Sequence, residues 1–171
     1  MKNLEPKRVE QLLSIIPQHP ATRIMQISQG GLQLSDALSS FVRDRDYEFL
    51  LNITNDIFYE KIKDRYIDNK ECKVKKLKLQ QRRYVSMAKM YDYIFVTASI
   101  PDEMLEQFAK TVHGHIKNAG NIIIFLPKNN LRILDNWRQT LEDNYFVASN
   151  TVDIFEEYEV LISKKMHGWG G

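Results

Sequence analysis

The chain has 171 residues, of which 43% are hydrophobic and 27% charged, and its formal net charge at pH 7 is +2. This length and composition predict one soluble globular domain, and they exclude collagen-like and disordered chains. A net charge this small does not by itself indicate a nucleic-acid or membrane partner.

Three features bear on the location of the protein, and the first of them allows a reducing compartment without proving one. The single cysteine, Cys72, has no second cysteine with which to form an internal disulfide. The first residues lack the apolar core of a signal peptide. The apolar run Ile122–Leu126 is too short to cross a bilayer. We therefore expect a cytoplasmic protein without a membrane partner.

Hydrophobic spacing predicts alternating helices and strands in the first half of the chain. Apolar residues three and four positions apart indicate helices, and short runs of branched and aromatic residues indicate strands. In chain order, these are a helix over 6–16, a strand over 23–27, a helix over 34–42, a strand over 47–53, a helix from its N-cap Thr54 through Tyr66, and a strand over 72–79. Lysines in the last of these are typical of an exposed sheet edge.

The second half continues the alternation and closes with two strands. Its predicted elements are a short helix or loop over 81–90, a strand over 93–97, a helix from Pro101 through Ile116, a turn over 118–121, a strand over 122–126, a helix over 131–141, and strands over 145–149 and 158–163. The alternation favours a parallel sheet covered by helices on both faces, and the last two strands favour an antiparallel pair. We predict a single α/β domain over 1–171, with a helical extension over 1–20, a core over 21–165 and a flexible tail over 166–171.

A glycine turn follows the first predicted strand. The order Ser28-Gln29-Gly30-Gly31 lies between that strand and an amphipathic helix. Glycines allow a backbone to approach a ligand, and parallel sheets bind ligands beyond the carboxyl ends of their strands, where the strand order reverses. The turn is therefore either a ligand cradle or only a tight connection between strand and helix.

Four segments together resemble the class I methyltransferases, a Rossmann-like family that uses S-adenosylmethionine. They are RIMQISQGGLQLSDAL at 23–38, YEFLLNITNDIF at 47–58, YDYIFVTASIPDEMLEQFAKTVHGHIKNAGNIIIFL at 91–126 and NYFVASNTVDIFEEYEVLISKK at 144–165. They stand where the family has its glycine turn, second strand, fourth and fifth strands, and closing hairpin. The resemblance implies a three-layer Rossmann-like fold, with a seven-stranded, mostly parallel sheet whose terminal strand is antiparallel, and S-adenosylmethionine as cofactor.

The same segments depart from the family at its usual cofactor anchors. Gln26 stands where the family has an acidic residue, Ser28 and Leu32 take the positions of the first and last turn glycines, and Asn52 replaces the ribose-binding acid. An asparagine oxygen accepts a hydrogen bond without the charge of a carboxylate. The loss costs on the order of 1 kcal/mol per bond, or roughly five- to tenfold in affinity.

The resemblance implies a cofactor site but assigns no catalytic residue. The implied cofactor-binding residues are Ser28, Gln29, Gly30, Gly31, Asn52, Ile53 and Thr97. Two functions agree with this pattern. One is a divergent methyltransferase whose acceptor, a small molecule or an RNA, is unknown; the other is an interaction or regulatory module that has lost cofactor binding. Methyl transfer depends mainly on positioning, so the missing catalytic set does not separate them.

Three further features have simple structural interpretations. His113 and His115 lack accompanying cysteine or carboxylate ligands, so we predict no metal site and a positive charge at a helix C-terminus instead. Asp92 before the fourth strand is predicted to be structural. The basic run from Lys73 to Arg83 is either an RNA- or phosphate-facing edge or a solvated edge strand. A protein partner or a homo-oligomer stays open.

Overall fold

The computed structural model describes residues 4–85 and 89–168. A 3₁₀ turn, Asp102–Met104, precedes the fourth helix. The other elements are α1 (Pro6–Leu13), β1 (Arg23–Ser28), α2 (Gln33–Arg43), β2 (Glu48–Ile53), α3 (Asp56–Ile62), β3 (Cys72–Lys76), β4 (Tyr91–Val96), α4 (Leu105–His113), β5 (Ile116–Pro127), α5 (Leu131–Asp143), β6 (Phe146–Val152) and β7 (Tyr158–Lys165). Half of the predicted tail, residues 169–171, and residues 86–88 of the 81–90 segment lie outside the described residues.

The seven strands form one sheet in the order β3-β2-β1-β4-β5-β7-β6. The first five of these are parallel, and β7 pairs antiparallel with both β5 and β6. The chain first builds outward from β1 through β2 to β3, and then returns to place β4 on the other side of β1. The strand order therefore reverses between β1 and β4, and the predicted fold class is confirmed.

Alternating side chains of the strands supply two cores, one on each face of the sheet. Ile24, Phe95 and Ile123 pack with α1, α2 and α3 on one face. Met25 and Ile94 pack on the other face with α4, α5 and the connection that follows β3. Strands covered on both faces need near-continuous apolar runs, which is why their sequences are so hydrophobic. The apolar stripe of α1 is buried in the first of these cores, against this chain's own sheet.

The boundary between α4 and β5 differs from the prediction. The helix ends at His113 rather than running through Ile116, and residues 118–121 belong to β5 instead of forming a separate turn. The pairing of β4 with β5 shifts register there, and Ala119 has a φ of 63°. A Cβ at Gly120 would lie 2.9 Å from the carbonyl oxygen of Lys117. Gly120 therefore lies at an irregularity of β5, where neighbouring backbone atoms leave no room for a side chain.

Three helix ends also differ from the sequence-based boundaries. The N-cap of α3 is Asn55, whose side-chain oxygen accepts the backbone N–H of Phe58 at 2.9 Å, and not Thr54. The Thr54 hydroxyl instead donates to the carbonyl of Ser28. α1 and α3 end at Leu13 and Ile62, one turn before the predicted ends. Ile16 and Tyr66, the last apolar positions of the two predicted stripes, are still buried, so the hydrophobic spacing indicated burial beyond the last helical turn.

Asp92 ties three strands together at the amino end of the sheet. Its carboxylate accepts the backbone N–H of Arg23 at 2.8 Å and the Lys117 ammonium at 2.9 Å. These contacts join the starts of β1, β4 and β5, which is the structural role predicted for this residue. None of the helices over residues 4–85 and 89–168 has the length and apolar character to cross a membrane.

Candidate functional site

The glycine turn lies at the carboxyl end of β1, where the strand order reverses. The hydroxyl of Ser28 accepts the backbone N–H of Gly30 at 3.3 Å and donates to the Gly30 carbonyl at 3.1 Å. Gly31 has a φ of 82°, which turns the chain into α2. A Cβ at Gly30 would have no neighbour within 4 Å, so the turn presents an open face at this residue.

Gln26 is buried and uses both ends of its amide inside the protein. Its nitrogen donates to the Thr97 hydroxyl at 3.0 Å, and its oxygen accepts the Ser35 hydroxyl at 2.9 Å. The Thr97 hydroxyl also donates to the carbonyl of Ile27. The position that carries an acid in the resembled family therefore links β1, α2 and the end of β4.

Asn52 is likewise held by protein groups. It is 1% exposed, and its amide nitrogen donates to the carbonyl of Tyr84 at 3.4 Å. The backbone N–H of Tyr84 in turn donates to Nε2 of His115 at 3.0 Å. The carbonyl of Ile53 accepts the N–H of Leu77 at 2.8 Å. The segment after β3 thus closes over the end of β2 on the side that Asn52 faces.

All seven predicted site residues lie at the carboxyl ends of the parallel strands, but only some of them are accessible to solvent. Ser28, Gln29, Gly30 and Gly31 follow β1, Asn52 and Ile53 end β2, and Thr97 follows β4. The exposed Gln29 side chain spans the reversal point, because its oxygen accepts the Ser99 N–H at 3.2 Å. Ser28, Asn52, Ile53 and Thr97 are buried.

Leu4 closes one side of the turn, and the sequence analysis did not single it out. Its backbone N–H donates to the side-chain oxygen of Gln33 at 2.7 Å, and its side chain is 3% exposed. The gap between them has no room for a water molecule. It is lined by Leu4, Gln26, Gly31, Gln33 and Leu34. Ligand pockets usually span about 300–1,000 Å³, so a ligand here would use the open face over Gly30 or displace Leu4.

A larger cavity lies away from this turn, beside the β2–β3 edge. Its volume is about 140 Å³, and lysines and glutamates surround an apolar floor. Its lining residues are Glu48, Phe49, Leu50, Lys70, Glu71, Lys73, Lys75, Val85, Lys89 and Tyr91. Since Glu48 and Tyr91 begin their strands, this cavity opens toward the amino end of the sheet, opposite the reversal point.

The two histidines are not a charged helix terminus as predicted. Burial lowers the pKa of His113, with a contribution from the charge of Lys165, and burial together with Arg83 lowers the pKa of His115. Both imidazoles are therefore neutral near pH 7. Among the residues that the structure describes, no group of three or more His, Cys, Asp or Glu side chains could hold a metal ion.

The strand order and the antiparallel β7 define the class I methyltransferase fold. No protein-family model and no curated protein sequence matches the chain. Solved structures do match it. The chain is 14% identical to a TehB-like SAM-dependent methyltransferase from Corynebacterium glutamicum, with a TM-score of 0.71 over 92% of this chain and 86% of that one.

Two further structures show the same likeness. Fibrillarin from Aeropyrum pernix, solved with natively bound S-adenosyl-L-methionine, is 8% identical over 91% of this chain and 72% of its own, with a TM-score of 0.72. Precorrin-6y C5,15-methyltransferase from Geobacter metallireducens is 15% identical over 92% and 87%, with a TM-score of 0.70. The chain spans about half of several longer neighbours. These likenesses confirm the fold that the sequence resemblance implied.

Proposed function

We propose that the chain binds S-adenosylmethionine at the crevice between the ends of β1 and β4 and acts as a methyltransferase. The observation that supports this most is the open face over Gly30 at the point of strand reversal. Backbone groups of such a turn approach a ligand that any side chain would obstruct. Bound S-adenosylmethionine would supply a methyl group already activated on its sulfonium, so the chain's task is to bind and orient.

The residues present fit the adenosine part of this cofactor with a weakened set of anchors. Ser28 to Gly31 would line the turn. Asn52 and Ile53 are buried, so they would reach the ribose only if the segment after β3 moved aside. Because Asn52 carries no charge and its amide nitrogen already bonds Tyr84, at most its oxygen would serve a ribose hydroxyl. We expect an affinity below that of a site with a carboxylate, by roughly five- to tenfold per charge-assisted bond.

A specific observation favours a second function, an interaction or regulatory module without cofactor. Gln26 and Thr97 bond each other and Asn52 bonds Tyr84, so residues at the anchor positions serve the protein's own packing. Leu4 and Gln33 close the adjoining crevice. In this alternative, the turn is only a connection, since a fold does not determine an activity.

Thermal melting with S-adenosylmethionine and S-adenosylhomocysteine separates the two functions. At a ligand concentration about 100 times Kd, binding adds about 2.7 kcal/mol, which is a Tm rise of roughly 5–10 °C for a domain of this size. Absence of any rise at millimolar ligand would contradict the cofactor site and favour the module.

Two variants locate the site if a rise is seen. Gly30→Asp should abolish it, since a carboxylate would fill the open face, whereas Ser40→Asp on the exposed side of α2 adds the same charge elsewhere and should not. An unchanged shift in Gly30→Asp would move the site away from this turn.

A further inference from the structure

The positive charge of this chain is concentrated in one short segment. Residues 72–91 contain seven Lys and Arg residues and no Asp or Glu. Because the whole chain has 24 basic and 22 acidic residues, the rest of it carries 17 basic and 22 acidic ones. The near-zero net charge therefore conceals a strongly positive segment on an otherwise acidic protein.

Six of these cations lie at the exposed β3 edge of the sheet, on both of its faces. We call them the basic band, and they are Lys73, Lys75, Lys76, Lys78, Arg82 and Arg83, all exposed. Three lie on the edge strand β3 and three in the connection that follows it. Residues 72–85 include no acidic side chain. Acids from other elements do reach the band: Asp56, from α3, lies 3.1 Å from Lys76, and Glu48 and Glu71 line the same cavity as Lys73 and Lys75.

The band adjoins the carboxyl end of β2. Lys75 and Lys76 lie opposite Asn52 and Ile53 in the parallel register, one strand spacing of about 4.8 Å away. A polyanion bound along the band would therefore run beside the crevice at the end of β1 and β2.

The far edge of the same sheet has the opposite charge. The connection between β6 and β7 carries Asp153, Glu156 and Glu157, and all three are exposed. Six strand spacings, about 29 Å, separate this edge from β3. That distance exceeds the screening length of about 8 Å at physiological salt, so the acidic edge leaves the band's attraction for anions intact.

We propose that the basic band binds the phosphate backbone of a nucleic acid without base specificity. Tyr84 is 3% exposed, and no exposed aromatic ring lies among described residues 72–85, so the band offers charge without a stacking surface. Exposed lysines and arginines with no aromatic ring beside them to stack on bases contact chiefly phosphates, which carry no sequence information. The charges extend from β3 into the following connection, a wider spread than one acidic peptide strand added to the edge would contact. This inference does not rest on the proposed cofactor.

The test is fluorescence anisotropy with a labelled 20-nucleotide uridine RNA and a 20-base-pair DNA duplex, between 50 and 200 mM NaCl. We expect Kd values of about 10⁻⁴–10⁻⁶ M near physiological salt, with affinity falling steeply as salt rises. The variant Lys73→Gln/Lys78→Gln/Arg82→Gln should weaken RNA binding at least about tenfold at 50 mM. It should also reduce the slope of log K against log salt by about 2, since each lost single-strand contact removes about 0.7. The probe with the lower Kd shows whether single-stranded RNA or duplex DNA is the preferred ligand.

A matched control separates the band from net charge. Lys7→Gln/Lys110→Gln/Lys164→Gln removes three exposed lysines on α1, α4 and β7, and it should keep binding within about twofold of the parent. Thermal melts establish that both triple variants are folded. Equal losses in the two variants, no binding to either probe at 50 mM, or tighter binding to a polyglutamate peptide would overturn the proposal.

Discussion

The backbone N–H of Tyr84 donates a hydrogen bond to Nε2 of His115 across 31 residues of sequence, at a distance of 3.0 Å. An imidazole that accepts at Nε2 must be neutral and carry its proton on Nδ1. The carbonyl of Tyr84 accepts a hydrogen bond from the side-chain amide of Asn52, and its ring packs on Phe108. The contact therefore connects the end of β2, the segment after β3 and the start of β5.

We expect the stability of the protein to fall as the solution is acidified through the histidine range. Burial lowers the pKa of His115, as does the charge of Arg83, and burial also lowers the pKa of His113. The unfolded chain then binds protons more readily than the folded one, so this stability is complete above the unfolded pKa of about 6.5 and decreases below it. Tm measured between pH 5 and 8 should show this.

The variant His115→Gln tests which group is responsible. Glutamine offers an oxygen to the Tyr84 N–H but does not titrate, so the pH dependence of Tm should become flatter. His19→Gln changes an exposed histidine outside this contact and serves as the control. If His115→Gln kept the full dependence, the Tyr84 contact would not be its source.

Removing the Gln26 amide should destabilise the fold markedly. Gln26→Leu has a similar volume but leaves the Ser35 and Thr97 hydroxyls without this partner in a buried place. We expect a loss of about 2–4 kcal/mol in the free energy of unfolding, measured by urea denaturation. The exposed Gln107→Leu on α4 should change it by no more than about 0.5 kcal/mol. Similar values for the two would mean that the network contributes little.

An added methyl group should cost much more stability at Gly120 than at Gly30. Gly120→Ala places a Cβ 2.9 Å from the Lys117 carbonyl oxygen and 3.0 Å from that of Asp92, both backbone atoms, so we expect a loss of about 1–3 kcal/mol. Gly30→Ala meets nothing within 4 Å and should cost about 0.5 kcal/mol or less. Chemical denaturation of both variants gives the comparison. Equal costs would show that the turn over Gly30 is not open.

The thiol of Cys72 should be unreactive in the native protein despite its neighbouring lysines. Burial raises its pKa to about 11, and its side chain lies in the core with α2 and α3. Because the thiolate is the reacting species, labelling with a disulfide reagent at pH 8 should be slow in buffer and fast in urea. Rapid labelling of the folded protein would contradict the buried position.

The order of helices and strands, and with it a mostly parallel α/β sheet, followed from hydrophobic spacing, whereas the Rossmann-like topology was implied by the family resemblance. Runs such as Tyr93–Val96 and Ile122–Leu126 must be covered on both faces, and the helical stripes between them supply the cover. The lysines of β3 predicted a sheet edge, and β3 is one. Each of these features depends on the spacing of residues close together in the chain, so a short stretch of sequence is enough to predict it.

The contents of the candidate site depended on contacts between distant parts of the chain. The sequence placed Gln26, Asn52 and Thr97 near the turn, but only the tertiary structure showed that Gln26 bonds Thr97 71 residues away and that Asn52 bonds Tyr84. Leu4 reaches Gln33 from outside the predicted core. Local patterns determine which residues form helices and strands, and which residues come at the ends of the strands. Whether a polar group there faces a ligand or its own protein is decided by partners that no local pattern specifies.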